Sequence, residues 1–309
     1  MSGWGQSKSA TPETPKYGRE HMRAVFERQK ARMNRTPVRM ALVGKENTCK
    51  TGLALDLAGI SDKKIVTVLD FDNSARETVA HLYPKAKNIQ VISLYDESDE
   101  SIFNEDNTTN WVALIEKVGW VVNLLSEDIQ ENPDAHGAVI FDGGSTFMKW
   151  CEYAMTGVLL KRGVIKEEGD SFNQKEWRTR NQLFRDVINR VHGLTLDKVF
   201  FTFHLKDNKT YVDVGGGQKG LMKIGEKVDW VDGTQRIVSQ QLFMQRYRKK
   251  ADDSAGVKGD ASLGDDEWVV RATVEEIKGK GMEMVGSTHD ILHIKKGKVT
   301  WNGIPELKW

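Results

Sequence analysis

The segment that decides the fold is VRMALVGKENTCKTGLALDLA, residues 38–58. It begins with the short apolar run VRMALV, which predicts a buried β-strand, and it ends with TGLALDLA, whose apolar residues predict a helix. A second apolar run, KKIVTVLDFD at residues 63–72, predicts another strand. Strand, loop, helix and strand in this order predict a βαβ unit, whose two strands are parallel.

The same alternation continues downstream. The segment WVALIEKVGWVVNLLSEDI (111–129) predicts a helix, and GAVIFDGG (137–144) predicts a short buried strand. Further on, QKEWRTRNQLFRDVINRVHGL (174–194) predicts another helix, and DKVFFTFHLKD (197–207) predicts another strand. Strands that alternate with helices of this length indicate an α/β fold, with a mainly parallel central sheet covered by helices on both faces.

Composition divides the chain into three regions. Residues 1–36 combine a tail rich in Ser, Thr, Pro and Gly with the basic segment REHMRAVFERQKARMNR, so we expect a flexible tail and then a helix. Residues 37–247 hold the alternating elements and form the predicted core, which includes a hairpin or mobile loop after Asp207. Residues 248–309 contain a charged linker, followed by EWVVRATVEEI and HDILHIKKGKVTWNGI, which predict a β-rich C-terminal extension of the core.

Bulk composition narrows the function classes. Lys and Arg total 45 against 44 Asp and Glu, so any nucleic-acid binding would depend on local clusters. No apolar run reaches the roughly 18 residues of a membrane-spanning helix, and the N-terminus lacks the apolar stretch of a secretory signal. Cys49 and Cys151 have no metal-ligand spacing and suit a reducing compartment. We therefore expect a cytoplasmic protein that does not bind membranes.

The loop GKENTCKT, residues 44–51, matches the frame of a phosphate-binding loop at its first Gly and at Lys-Thr, with Cys49 where a second Gly is usual. Because it lies between a strand and a helix, its backbone N–H groups are expected to cradle the phosphates of ATP. Lys50 would bridge the β- and γ-phosphates, and Thr51 would bind Mg²⁺. The predicted nucleotide-binding residues are Gly44, Lys45, Glu46, Asn47, Thr48, Cys49, Lys50, Thr51 and Gly52. The alternative is that Gly44 simply ends a strand and Lys50 begins a solvated helix.

Acidic residues follow two of the predicted strands. Asp142 ends VIFD and is predicted to contact Mg²⁺, directly or through water. Asp70 and Asp72 end VLDFD, and either could orient the attacking water. Asp72 is the preferred catalytic acid because it lies further beyond the strand, nearer the crevice where ligands bind in open α/β sheets. The alternative is that Asp70 and Asp72 cap the helix that follows them.

A histidine follows a third strand. FFTFH ends in His204, which at this position is predicted to sense the γ-phosphate, with a purely structural role as the alternative. The predicted catalytic residues are therefore Lys50, Asp72, Asp142 and His204. Ser145 is interpreted as a turn-forming residue, although it could bond a phosphate or water.

The order of these motifs resembles that of RecA-like P-loop ATPases of phages and archaeal viruses, especially those related to single-strand annealing recombinases. The matching segments are ALVGKENTCKTGLALDLA, VTVLDFD, AVIFDGGSTFMKW and KVFFTFHLKD, which together extend over roughly residues 38–207. The resemblance implies that Asp72 polarises water, although Glu is more familiar there. It also implies that His204 links the γ-phosphate to DNA loops, and that nucleotide binds between subunits of a ring or filament.

The same resemblance implies two segments that face single-stranded DNA. The first is a loop at residues 156–180, and the second comprises residues 206–227, which include Tyr211. Basic residues can neutralise phosphates and aromatic rings can stack on bases, although such charge runs are also common on solvated faces. The predicted DNA-binding residues are Lys161, Arg162, Arg178, Arg180, Lys206, Lys209, Lys219 and Lys223, with Lys166, Lys175 and Lys227 in the same segments.

Near the C-terminus, EEIKGKGMEMVG (275–286) resembles a lysine-containing segment that reaches the nucleotide of a neighbouring subunit in some of these ATPases. Lys278 and Lys280 are the candidate trans-acting cations. The alternative is a Gly-rich hairpin with solvated lysines.

Three function classes are consistent with these residues. The leading hypothesis is an ATP-hydrolysing protein that acts on single-stranded DNA in recombination, annealing or repair. A second class comprises other P-loop machines, such as a helicase loader, a genome-packaging ATPase or a small-molecule kinase. The third is a nucleotide-dependent scaffold that does not hydrolyse ATP, which Cys49 makes plausible.

Overall fold

The computed structural model describes residues 18–32, 37–60, 63–167, 172–213, 219–279 and 281–307. The chain divides into two compact units, 1–36 and 37–309. The first contains the predicted basic helix, α1 (Arg19–Arg32), on which Met22 and Phe26 are exposed. The predicted flexible tail lies outside the described residues.

The second unit alternates strands and helices along most of its length. Its described helices are α2 (Lys50–Ala58), α3 (Ala75–Leu82), α4 (Trp111–Glu131), α5 (Gly144–Lys161) and α6 (Gln174–His192). Its described strands are β1 (Val38–Gly44), β2 (Ile65–Asp70), β3 (Ile89–Ser93), β4 (His136–Asp142), β5 (Lys198–Phe203), β6 (Leu205–Asp213), β7 (Lys219–Val228), β8 (Gln240–Arg248), β9 (Val257–Gly259), β10 (Glu267–Ile277), β11 (Thr288–Lys295) and β12 (Lys298–Trp301). No helix in these parts of the chain is both long enough and apolar enough to cross a membrane.

Ten of the described strands form one sheet, in the order β12-β11-β10-β8-β1-β5-β4-β2-β3, with β9 paired to β8. The six strands from β8 to β3 in this order are parallel to one another, whereas β10, β11 and β12 are added antiparallel. The predicted α/β fold with a mainly parallel central sheet is therefore confirmed. The late strands, predicted as an extension, continue this same sheet.

The central strands are apolar on both faces because each face has its own core. Alternate residues of a strand point to opposite sides. Ala41 and Val43 of β1 pack in the core that contains α4, α5 and α6, whereas Met40 and Leu42 pack in the core that contains α2. This explains why β1 reads as a continuous apolar run rather than as an alternating pattern.

The parallel strands bring the predicted site residues to one edge of the sheet. Strands β1, β5, β4 and β2 are adjacent and parallel, so their carboxyl ends lie side by side. Gly44 ends β1, and Asp70 of β2 pairs with Asp142 of β4. His204 immediately follows β5. Ligands of open α/β sheets bind at this edge.

Strands β6 and β7 form a separate two-stranded antiparallel sheet immediately after His204. Of the two predicted possibilities for this segment, hairpin or mobile loop, the described strands show the hairpin. Its exposed surface includes the apolar side chains of Tyr211, Leu221, Met222 and Ile224.

The first predicted DNA loop, residues 156–180, is helical at both ends, where residues 156–161 belong to α5 and residues 174–180 belong to α6. Helix α5 continues to Lys161, and α6 begins at Gln174 behind a capping box in which Asn173 and Glu176 bond each other's backbone. The two helices pack antiparallel, with the rings of Phe147 and Phe184 5.8 Å apart near one end. Leu159 and Trp177 belong to one small apolar cluster near the other end. Despite its basic residues, the segment therefore contributes apolar side chains to the packing of the two helices.

Candidate nucleotide site

The loop after β1 closes around the ammonium group of Lys50. Its Nζ donates to the carbonyl oxygens of Gly44 at 3.1 Å and Lys45 at 2.7 Å. Burial, partly opposed by the charge of Asp142, lowers the pKa of Lys50 to about 8. Gly44 is required here, because an added Cβ would lie 2.5 Å from the Met244 carbonyl oxygen. The loop is therefore tightly packed around a buried cation at the N-terminus of α2.

Cys49 caps α2 in the left-handed conformation, with φ 58° and ψ 31°. This conformation favours glycine, the usual residue at this point of a phosphate-binding loop. The backbone therefore follows a glycine-type path despite the cysteine.

Replacing Cys49 with glycine is expected to raise the free energy of unfolding by up to about 1 kcal/mol, because it removes left-handed strain. Replacing it with valine should lower that free energy by about 1 to 3 kcal/mol, since a β-branched residue is strained there. Urea unfolding of both variants measures the difference. Shifts in the same direction would show that side-chain packing, not backbone strain, controls this position.

Two hydroxyl groups hold the carboxylate of Asp142. Thr51 Oγ1 donates to Asp142 Oδ2 at 2.8 Å, and Thr202 Oγ1 donates to Asp142 Oδ1 at 2.7 Å. Burial raises the pKa of Asp142 to about 6, against the opposing effect of these hydrogen bonds. Thr202 was not predicted from sequence. The only available signal was one polar residue inside the apolar strand FFTF.

Asp70 and Asp72 both lie beside the start of helix α3, and their part in catalysis stays a prediction. Asp70 Oδ2 accepts a hydrogen bond from the Ala75 backbone N–H at 3.1 Å, and Asp72 Oδ1 accepts from the backbone and hydroxyl of Ser74. Both acids therefore bond the start of α3. At the same time, one oxygen from each of Asp70, Asp72 and Asp142 lies within 4.8 Å of the others. Asp70 is buried, whereas Asp72 is exposed.

Replacing Asp70 with asparagine is expected to stabilise the metal-free protein at pH 8 by about 1 to 2 kcal/mol. Burial, with the charges of Asp142 and Asp72, raises the pKa of Asp70 to about 7 in the folded state. Its ionisation therefore weakens folding as pH rises from about 4 through about 7. Urea unfolding in chelator should show a smaller gain at pH 5 than at pH 8. Equal gains at the two pH values would contradict this account.

His204 lies in the same cavity as the loop and the acids. Burial and the nearby Lys50 charge lower the pKa of its imidazole. Its backbone N–H donates to Ser145 Oγ at 2.9 Å, and that hydroxyl donates to the Asp229 carbonyl at 2.8 Å. Ser145 lies in the first turn of helix α5, not in a free turn, and it joins the ends of β4, β5 and β7.

The cavity has a volume of about 620 Å³, which is within the usual range for small-molecule sites. Residues 46–52 of the loop line it, together with Asp72, Asp142 and His204. The late strands contribute an apolar wall that sequence reasoning missed, composed of Trp268, Leu292, Ile294 and Val299. No local pattern could identify this wall, because it depends on how β10, β11 and β12 extend the sheet.

Thr51 and Asp142 form an oxygen donor set that fits Mg²⁺. Hydroxyl and carboxylate oxygens are the ligands that this cation prefers. The hydrogen bond between Thr51 and Asp142 brings these two groups together beside the loop.

Ion pairs connect the loop to the β6–β7 hairpin. Lys45 Nζ lies 2.6 Å from Glu226 Oε1 of β7, and Lys223 Nζ lies 3.5 Å from the same oxygen. Lys223 also pairs with Asp207 at 2.7 Å, and Lys209 approaches Asp207 at 3.7 Å. The predicted DNA-binding lysines of this hairpin are therefore interleaved with acids.

The other predicted DNA-binding residues are distributed over several elements. Lys206 pairs with Asp229 at 2.6 Å, and Lys219 begins β7. Lys161, Arg162 and Arg178 are exposed at or near the ends of α5 and α6. Arg180 is partly buried and lies over the Trp177 ring, 4.6 Å from its centroid.

Lys278 lies at the opposite edge of the sheet from the phosphate loop. It follows Ile277, which pairs with Gln240, and Gln240 pairs with Met40 near the start of β1. Its Nζ donates to the Val238 carbonyl at 3.0 Å. Lys280 lies outside the described residues.

Comparison with known proteins gives a family match over the core. Comparison with curated proteins gives no match. Among solved structures, the crystal structure of the RadB recombinase is similar to this chain, with 12% sequence identity, coverage of 85% of this chain and 90% of that chain, and a TM-score of 0.38. The family model AAA_24, described as an AAA domain, matches residues 36–245, from the residues before β1 into β8. This match covers more than half of the chain and supports its assignment as a P-loop NTPase, and the chain therefore belongs to the AAA_24 family of AAA domains.

Proposed function

We propose that this chain is a RecA-like ATPase that hydrolyses ATP and acts on single-stranded DNA in recombination, annealing or repair. The observation that carries the proposal is a single cavity lined by Lys50, Thr51, Asp72, Asp142 and His204. A phosphate-binding loop, an acid pair and a polar residue at adjacent strand ends are the parts that phosphoryl transfer to water requires. The proposal includes a cytoplasmic location and kinship with the phage and archaeal-virus proteins.

In the proposed mechanism, backbone N–H groups of the loop bind the phosphates, and Lys50 turns from the loop carbonyls to the β- and γ-phosphate oxygens. Thr51 and Asp142 would hold Mg²⁺, which when bound neutralises charge on these phosphates. Lys50 stabilises negative charge as the bond between the γ-phosphorus and the bridging oxygen breaks.

Asp72 orients the attacking water and accepts a proton from it. The water oxygen bonds the γ-phosphorus, and ADP leaves with the electron pair of the broken bond. The exposure of Asp72 supports this assignment, because a buried acid such as Asp70 would meet water less readily. His204 contacts the γ-phosphate and transmits its loss to the hairpin, whose first strand begins at the next residue.

The hairpin is the proposed DNA-responsive element. DNA phosphates would compete with Asp207 and Glu226 for the lysines, and Glu226 also pairs with Lys45 of the phosphate loop. DNA binding would therefore change the ion pairs of the nucleotide site. Tyr211 is exposed on the same hairpin and available to stack on a base. The basic residues of α5 and α6 would form a second contact region.

The proposal includes assembly into a ring or filament in which Lys278 and Lys280 approach the nucleotide of a neighbouring subunit. Lys278 lies at the edge opposite the phosphate loop of its own chain, so any contact it makes with nucleotide would be in trans. Sedimentation velocity with and without ATP tests this part of the proposal.

The deciding experiment measures ATP hydrolysis with and without single-stranded DNA at low salt. We expect DNA to raise the turnover rate, and we expect Glu226→Gln to reduce this stimulation. Glu105→Gln, which changes an exposed acid elsewhere, is the matched control. Turnover that DNA does not change would reject the DNA role. Phosphate transfer to a small acceptor would indicate a kinase, and ATP binding without turnover would indicate a scaffold.

A further inference from the structure

Three aspartates at the edge of the sheet form a compact group of oxygen ligands. Asp70 and Asp142 are paired neighbours on β2 and β4, and Asp72 lies two residues beyond Asp70. One oxygen from each carboxylate lies within 4.8 Å of the others. Three like charges at this spacing repel one another unless a proton or a cation lies among them.

The burial of Asp70 and its missing hydrogen bond indicate that a ligand belongs in this group. Asp70 is fully buried, with a fractional exposure of 0%. Its Oδ2 accepts a hydrogen bond from Ala75, but its buried Oδ1 has no hydrogen-bond partner. Leaving a buried polar atom unpaired is costly, and a charged one more so. The ammonium of Lys50 does not supply the missing partner, because it donates to the carbonyls of Gly44 and Lys45.

The three oxygens lie close enough together to share a single divalent ion. Ligand oxygens lie about 2.1 Å from Mg²⁺ and about 2.3 to 2.6 Å from Ca²⁺, so two ligands of one ion are at most about 4.2 to 5.2 Å apart. These three carboxylate oxygens lie within 4.8 Å of one another. The exposed side chain of Asp72 gives the ion a route from solvent to the two buried carboxylates.

We propose that Asp70, Asp72 and Asp142 form a divalent-cation site that binds its ion without nucleotide. This site differs from the Mg²⁺ site expected with ATP, which uses Thr51 and the phosphates. Asp142 is common to both. The cation would offset the charge of the acid group before nucleotide arrives, and Asp70, which has no assigned part in hydrolysis, would be one of its ligands.

The test is titration of the full chain with Mn²⁺ in the absence of nucleotide. Mn²⁺ shares the carboxylate preference of Mg²⁺ and is detected by electron paramagnetic resonance. We expect saturable binding of one ion per chain below about 1 mM, with displacement by excess Mg²⁺. Asp70→Asn and Asp72→Asn should each weaken the affinity by about tenfold or more, whereas Asp106→Asn, an exposed acid outside the group, should not.

Two outcomes would overturn the proposal. One is the absence of saturable Mn²⁺ binding to a wild-type chain that binds ATP with magnesium, which would mean that a proton holds the acids together. The other is unchanged affinity in both Asp70→Asn and Asp72→Asn. Circular dichroism establishes whether each variant is folded. If Asp70→Asn does not fold, Asp72→Asn still tests the proposal, because it changes an exposed side chain. A chain that binds Mn²⁺ but neither binds nor hydrolyses ATP would retain this site and lose the proposed function.

Discussion

Replacing Lys50 with alanine is expected to reduce the rate of ATP hydrolysis by about two to three orders of magnitude, the usual effect of removing one group that stabilises transition-state charge. Lys50 is the buried cation of the phosphate loop, and burial has already lowered its pKa to about 8. Its desolvated charge interacts strongly with phosphate oxygens, so alanine removes more than an exposed lysine would contribute. Steady-state turnover at saturating ATP measures the effect.

The matched control is Lys87→Ala, which removes an exposed lysine from a surface turn. It should leave turnover unchanged. The Lys50→Ala chain must also be shown to fold, because the ammonium group holds two loop carbonyls that would lose their donor. A folded Lys50→Ala chain that retains more than about a tenth of wild-type turnover would reject the central role given to this residue.

The fold was predictable because its main signals are local. Alternating apolar strands and helices can be recognised from neighbouring residues alone, and so can the phosphate-loop frame after the first strand. Parallel strands then bring Gly44, Asp142 and His204 to one edge, as the order of elements implies. The glycines and short β-like pieces beyond Asp207 predicted a hairpin or a mobile loop, and the described strands of the hairpin begin at Leu205.

The features of the site that could not be predicted from the sequence depend on contacts between residues that are distant in the chain. The apolar wall at Trp268 and Ile294 exists because β10 pairs with β8, beside the phosphate-loop strand. The Lys45–Glu226 ion pair joins residues that are far apart in the chain. Residues 174–180 belonged both to a predicted helix and to the DNA loop implied by the resemblance, and the capping box and apolar spacing of α6 place them in the helix.

Replacing Asp142 with asparagine is expected to lower ATP turnover by about a hundredfold or more while changing the free energy of unfolding by less than about 2 kcal/mol. Asparagine keeps the size of the side chain but removes the negative charge that is proposed to hold Mg²⁺. One amide oxygen can still accept from Thr51 or Thr202, and the other hydroxyl loses its acceptor. The loss of a buried charge offsets part of this cost, because burial opposes ionisation of Asp142.

Turnover at pH 8 and urea unfolding in chelator together test this prediction. The turnover rate should fall strongly, whereas the free energy of unfolding should change little. Asp106→Asn, in which the new amide oxygen can still accept from Thr108, should change neither. If Asp142→Asn retained turnover within about threefold of wild type, Asp142 would not be the acid that holds the metal, and Asp70 or Asp72 would have to supply that charge.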